Sequence, residues 1–181
     1  MSNVATERRE TVADHAVAAF RPLNIAVLTI SDTRGLAEDR SGDVLVAGLE
    51  ESGHRLAERR IVRDDIYQVR AAVSQWVADP AVQVVLTTGG TGFSARDQTP
   101  EAVRPLLDKT IDGFGELFRQ LSYEEIGSST LQSRALAGIA NDTVIACLPG
   151  SSGACRTGWY RLLQEQLDHG HRPCNLAELI L

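Results

Sequence analysis

The sequence predicts a three-layer α/β/α domain, a mostly parallel sheet with helices on both faces and an antiparallel strand at its edge. Three observations predict it. Asn24–Ile30 and Gln83–Thr87 are nearly continuous apolar runs, the pattern of strands covered on both faces. Amphipathic segments of helical spacing stand between such runs, giving strand–helix–strand–helix–strand. Finally, the runs at 135–140 and 143–148 are joined by Asn141–Asp142 alone, turn chemistry that makes neighbouring strands antiparallel.

In order, residues 1–20 have weak periodicity and mixed charge and are expected to form an arm, with residues 21–181 as one domain. Asn24–Ile30 is the first strand and ends in the polar turn Ser31–Gly35. Ser41 is placed to cap a helix with Val44, Leu45 and Leu49 on one face, and Gly53 stops it. A second strand is expected near Leu56–Val62. Asp64 or Asp65 then caps a helix whose apolar face is Ile66, Val69, Val73, Trp76 and Val77. The strand Gln83–Thr87 follows Pro80. After it, Thr99 as N-cap and Pro100 at the first helical position announce the next helix. Residues 108–111 cross back, and Gly113 opens a helix carrying Phe114, Leu117, Phe118 and Leu121. The 135–148 pair is expected as an edge hairpin, and a last helix carries Trp159, Leu162, Leu163 and Leu167. The tail from His169 has no clear period.

Composition narrows the function. A chain of 181 residues, 43% hydrophobic, supports one well-cored domain. Its net charge of −6 argues against a general nucleic-acid binder, which needs clustered Lys and Arg. No run approaches about 18 consecutive apolar residues, so no membrane partner is expected. Three cysteines, Cys147, Cys155 and Cys174, lack metal-ligand spacing and suit a reducing, cytoplasmic setting. His15, His54, His169 and His171 share no ligand spacing and are expected at the surface. Glu124 and Glu125 are read as a solvated or subunit-contact patch.

The chemistry concentrates in Thr87–Pro100, which holds Gly89, Gly90 and Gly92 at a strand's exit. Glycines there admit φ > 0 and let a ligand approach bare backbone, and successive free N–H groups make an anion concavity. Gly90–Ala95 formally matches the dinucleotide pattern, but the helix starts late, at Pro100, and no ribose-binding acid follows at the required place. An oxidoreductase is thus one alternative, and a plain tight turn another. Pro149–Gly153 is a second small-residue loop between strand and helix; if its strand runs parallel to the one at Val84, both loops open at one sheet edge. Asp64 and Asp97 follow strands and precede helices. Either could simply balance a helix dipole, or together they could hold Mg²⁺, which takes one or two carboxylates plus substrate phosphates.

Thr88-Gly89-Gly90-Thr91-Gly92, followed by Arg96-Asp97-x-Thr99-Pro100-Glu101, resembles the signature of the MoaB/MogA molybdopterin-binding family. Gly113-Phe114-Gly115-Glu116, Leu131-Gln132-Ser133-Arg134 and Leu148-Pro149-Gly150-Ser151 fall in that family's order, so the likeness spans residues 24–165. Residues 128–134, 154–157 and 172–175 resemble its B-type members. The resemblance implies the three-layer fold and a homotrimer or a hexamer of two trimers. It also implies molybdopterin as ligand or substrate, held by Thr88, Gly89, Gly90, Thr91 and Gly92 at its phosphate. Pro149, Gly150 and Ser151 would close the pterin side. Catalytic members adenylylate that phosphate with Mg-ATP, and their two acids, catalytic and metal-holding, are matched by Asp64 and Asp97. Arg63 stands where adenylylating members often carry Pro and is placed to pair with Asp64, which opens the alternative of a non-catalytic binding or scaffold protein.

Overall fold

A computed structural model describes residues 19–180; most of the expected N-terminal arm lies outside that range. One six-stranded sheet organises the domain, in the order β2-β1-β3-β6-β5-β4. Its strands are β1 (Asn24–Ile30), β2 (Arg55–Val62), β3 (Val84–Thr88), β4 (Lys109–Thr110), β5 (Leu136–Ala140) and β6 (Thr143–Leu148). β1 pairs in parallel with β2 and with β3, and β3 in parallel with β6. The register Val84↔Val144 through Thr88↔Leu148 brings β3 and β6 to their ends together. The β6–β5 and β5–β4 pairs are antiparallel.

Alternation along the strands sorts the core into two layers. Ile25, Val27, Val84, Leu86, Val144 and Ala146 face one side. There they meet helices α1 (Arg40–Glu51) through Leu45 and Leu49 and α4 (Asp112–Ile126) through Phe114 and Phe118. The last helix joins them: it begins as α5 (Ser152–Gly158), widens into a π turn over Trp159–Leu163 and ends in Gln164–Gln166. Ala26, Leu28, Val85, Ile145 and Cys147 face the other side. α2 (Ile66–Val77) covers them with Val69, Val73 and Trp76, and α3 (Thr99–Val103) with Ala102 and Val103. Full burial of β1, β3 and β6 is why their sequences are continuous apolar runs rather than alternating ones.

Several expectations are corrected. The 143–148 strand is not an edge: β6 lies between β3 and β5, and the short β4, formed where the chain crosses back, takes the edge. The tight turn itself is as expected, with Asn141 at φ 45° and Asp142 at φ 61°. Asp39, not Ser41, caps α1, accepting from the Gly42 N–H at 3.0 Å, while the Ser41 hydroxyl donates to the same carboxylate. Gln98, not Thr99, occupies the cap position of α3, because the Thr99 hydroxyl is spent on the Gly89 carbonyl at 2.8 Å. His54 and His169 are buried rather than superficial. Burial lowers the affinity of both rings for a second proton, assisted at His169 by the charge of Arg21. Glu124 and Glu125 are exposed, as expected, and they also tie α4 to the last helix, accepting from Arg161 and from the Thr157 hydroxyl.

The cysteines separate cleanly. Cys147 and Cys155 are buried and Cys174 is exposed. Burial pushes both inner thiols up to about 12, which leaves almost no thiolate at neutral pH. A thiol-specific chromogenic reagent is therefore expected to label one cysteine per chain in native protein and three after unfolding. Fast labelling of more than one in the native state would contradict the packing.

Candidate functional site

Parallel strands deliver four loops to one edge of the sheet. β1 ends in Ser31–Gly35, β2 in Arg63–Asp65, β3 in Gly89–Asp97 and β6 in Pro149–Ser151. The order 2-1-3 means that the chain leaves β1 to one side and returns as β3 on the other. Such a reversal opens a crevice outside the strands' carboxyl ends, where ligands of open α/β sheets bind. A cavity of about 490 Å³ occupies it, lined by residues of all four loops and by Gln132. A second cavity, about 530 Å³, lies between α3, α4 and β5 around Glu101, Arg104, Glu116 and Arg119. It is apart from the glycine turn and the strand ends that make the first suited to an anion.

The glycine turn is built to be bare. Gly89 has φ 106° and Gly90 φ 63°, left-handed values that favour glycine. A side chain at Gly89 would strike the Ile30 carbonyl, and one at Gly90 would strike the Thr99 hydroxyl and crowd the Asp64 carboxylate. The turn is closed by Thr99, whose N–H donates to the Gly90 carbonyl at 3.0 Å and whose hydroxyl donates to the Gly89 carbonyl. The second small-residue loop touches it: a Cβ on Gly150 would lie 3.1 Å from the Gly89 Cα, and the Thr88 hydroxyl donates to the Pro149 carbonyl at 3.1 Å. The two loops thus open at the same edge, as parallel β3 and β6 require. Gly89, Gly90, Thr91, Gly92, Pro149, Gly150 and Ser151 line the cavity. Thr88 stands behind the wall, buried between Pro149 and the Cys155 thiol. Ser151 also caps α5, accepting from the Ala154 N–H at 3.1 Å.

The two acids have different surroundings. Asp65 is the helix cap, accepting from the N–H groups of Tyr67 and Gln68, and this leaves Asp64 to face the cavity. The Gln98 N–H donates to Asp64 Oδ1 at 3.2 Å. Burial raises Asp64 above the usual carboxylate range, with the neighbouring charges of Asp97 and Asp32 adding to the effect. Burial alone would raise Asp97 as well. The Ser94 hydroxyl and N–H, the Gly92 N–H and the charge of Arg134 outweigh it and hold Asp97 below the usual range. Asp97 is thus favoured as an anion while Asp64 is shifted the other way, and carboxylates perturbed in this manner within a cleft mark a candidate functional site. Arg63 is exposed and makes no ion pair with Asp64. The arginines at this rim are Arg34 and Arg96, and Arg96 pairs with Asp32 at 2.7 Å.

Sequence reasoning missed three contributors. Asp32 accepts from both Arg96 and the Asp64 N–H, and Arg34 reaches the Gly150 carbonyl at 3.4 Å. Their turn was visible as polar, and its position after a fully buried strand is the signal that places it at the site. Gln132, more than thirty residues beyond the glycine loop in sequence, joins only through the tertiary fold. As to a divalent cation, one oxygen of each acid is engaged by a backbone N–H, from Gln98 and Ser94. Two carboxylates beside an anion cradle fit Mg²⁺ carried in with substrate phosphates better than a cation caged by protein alone.

This arrangement, a bare glycine turn and a second small-residue loop flanked by two acids at a topological switch point, defines a class. Residues 26–169 match the family model described as "Probable molybdopterin binding domain", and the chain belongs to that family. Its B-type members are highly similar: the chain is 50% identical to the molybdenum cofactor biosynthesis protein B of Escherichia coli K12, over 97% of this chain and 96% of that protein. It is 45% identical to the protein of the same name from Bacillus cereus, over 88% of this chain and 95% of the relative. A crystal structure of a molybdenum cofactor biosynthesis protein B superposes with a TM-score of 0.83 at 44% identity, covering 90% of this chain and 98% of that one. The tungsten cofactor synthesizing protein MoaB of Pyrococcus furiosus superposes at 0.74 with 38% identity, over 81% and 94% of the two chains. No described helix is long and apolar enough to cross a membrane.

Proposed function

We propose that this chain binds molybdopterin by its terminal phosphate and adenylylates that phosphate with Mg-ATP in the making of the molybdenum cofactor. One observation carries the reading: the Gly89–Gly92 turn and the Pro149–Ser151 loop meet at the carboxyl ends of adjacent parallel strands, with Asp64 and Asp97 on the rim of the same cavity. An oxygen of the pterin phosphate would attack the α-phosphorus of ATP, and the bond to the pyrophosphate oxygen would break. Such transfers depend mostly on positioning and charge neutralisation. The backbone of residues 89–92 holds the phosphate, and the residues at 149–151 narrow the pocket on the pterin side. Asp97, held anionic by its N–H donors, and Asp64 are the residues that would hold Mg²⁺. When bound, that ion neutralises charge building on the phosphate oxygens. Family membership and the exposed apolar residues Leu117, Tyr123, Ile126 and Leu131 along and after α4 support self-association as a homotrimer or hexamer.

Transfer of an adenylyl group from ATP to molybdopterin tests the reading. Asp64→Ala and Asp97→Ala are expected to lower the rate about a hundredfold or more, the usual loss when one charge-stabilising group is removed. A second reading, a non-catalytic binding or scaffold protein of the same pathway, draws on the engagement of both carboxylates by loop N–H groups, a role that binding alone would also need. It predicts that purified wild type binds molybdopterin yet forms no adenylylated product. It also predicts that Asp97→Asn still complements a cofactor-deficient strain.

A further inference from the structure

Arg134 stands outside the four loops, yet its guanidinium hydrogen-bonds to three backbone carbonyls of the glycine segment. Its Nε donates to the Gly92 carbonyl at 2.8 Å and to the Thr91 carbonyl at 3.2 Å, and its Nη2 donates to the Asp97 carbonyl at 2.6 Å. Its backbone N–H donates to the Thr91 carbonyl as well. Its Nη1 meets the Glu101 carboxylate, and the guanidinium lies 5.1 Å from the centre of the Phe93 ring. One planar group thus spans both ends of the 91–97 loop.

The consequence follows from peptide geometry. A trans peptide points the carbonyl of one residue and the N–H of the next in opposite directions. With the Asp97 carbonyl drawn to Arg134, the Gln98 N–H must point away from it, and it donates to Asp64 Oδ1 at 3.2 Å. With the Thr91 carbonyl drawn the same way, the Gly92 N–H turns toward the inner side of the loop. There the Asp97 carboxylate lies so close that a Cβ on Gly92 would be 2.8 Å from Oδ2. The Ser94 N–H completes the grip on Asp97 at 2.9 Å. The face of the loop away from Arg134 is where both acids sit.

We infer that Arg134 is the positioning residue of this site, fixing the directions of Asp64 and Asp97 through the peptide groups between them and its guanidinium. This rests on the proposed function only for its catalytic consequence; the geometric part stands on the loop alone. Lysine has one ammonium group and cannot reach carbonyls at both ends of a loop in the fork arrangement that a guanidinium provides, so charge and clamp can be separated by substitution.

The test is Arg134→Lys in the full chain, with two readouts. In hydrogen exchange, the Gln98 and Ser94 amides are expected to exchange about tenfold faster or more than in wild type, as for a locally opened segment. The Gly89 amide, bonded to the Leu148 carbonyl, should keep its protection. In the adenylyl-transfer assay, kcat is expected to fall about a hundredfold, the cost of misplacing reacting groups by about an ångström, with KM for molybdopterin changed less than about threefold. Wild-type exchange at both amides in the variant overturns the inference, and so does faster exchange with an unchanged kcat. If wild type itself transfers nothing, the proposed turnover fails, and the exchange data alone decide on Arg134. Should the variant not fold, couplings across the hydrogen bonds from the Gln98 and Ser94 amides to the Asp64 and Asp97 carboxyl carbons can be sought in wild type. Their presence supports the geometry, and their absence overturns it.

Discussion

Gly89→Ala is expected to destabilise the protein by about 2–6 kcal/mol. Two costs combine. Holding a residue with a side chain at φ 106° costs on the order of 1–3 kcal/mol. Driving a methyl group into packed atoms costs about 1–3 kcal/mol more. The obstacle is the Ile30 carbonyl, part of the backbone of β1, so no side-chain rotation can relieve the clash. Denaturant titration should show the midpoint fall with an unchanged slope. Gly153→Ala is the control: nothing lies within 4 Å of its Cβ position, and it sits inside α5. A change of roughly −1 to +0.5 kcal/mol toward destabilisation is expected there, because alanine favours helix over glycine. Equal effects at both positions would mean that Gly89 is not in the close turn described.

The second large effect lies at the N-terminal cap of α1. Asp39 is completely buried. It accepts from the Thr29 hydroxyl at 2.7 Å, the Gly42 N–H at 3.0 Å and the Arg59 guanidinium at 2.8 Å. Removing one partner of a buried ion pair typically costs about 3–5 kcal/mol, because the other is left uncompensated. Asp39→Ala is expected near the lower end, since Arg59 keeps the exposed Asp43 at 2.8 Å. The pH dependence has a defined sign. Burial by itself would raise Asp39, but its bonds from Arg59, Thr29 and Gly42 overcome this and leave it below the ordinary carboxylate value. A depressed acid adds stability that is fully present above its unfolded pKa, about 3.9, and is lost as pH falls through its folded pKa. Wild type should therefore lose stability below about pH 4 more steeply than Asp39→Ala. Parallel acid profiles for the two proteins would contradict the buried pair.

These two positions also show what the sequence made legible. Gly89 lay in a motif whose chemistry, glycines at the exit of a buried strand, is local, and the structure places it there. The Asn24–Ile30 strand agrees end for end with its apolar run, since a strand buried on both faces needs apolar residues throughout. Asp39 is the opposite case. Both Asp39 and Ser41 can cap a helix, and the choice is made by Arg59 on β2 and Thr29 on β1, neither of them a local neighbour. Two-residue β4 is too short to show any period, so the edge of the sheet was assigned to its neighbours. Arg134 was visible only as part of a family motif, because its partners at Thr91, Gly92 and Asp97 lie 37 to 43 residues away in sequence. His54 and His169 were read as surface residues because isolated histidines carry no periodic signal of burial. Asp64 and Asp65 are adjacent acids that sequence alone could not rank; capping by Asp65 ranked them.

The central claim is that the Gly89–Gly92 turn cradles the phosphate of molybdopterin. Its most direct measurement is equilibrium binding of molybdopterin to wild type and to Gly90→Ala, each shown to unfold cooperatively. At Gly90 the added methyl would press on the Thr99 hydroxyl and the Asp64 carboxylate rather than on backbone. The fold should therefore survive while the cradle is distorted. The account predicts saturable binding by wild type and an affinity at least about tenfold weaker for Gly90→Ala, a loss of about 1.4 kcal/mol. Binding of equal strength by both proteins would contradict it.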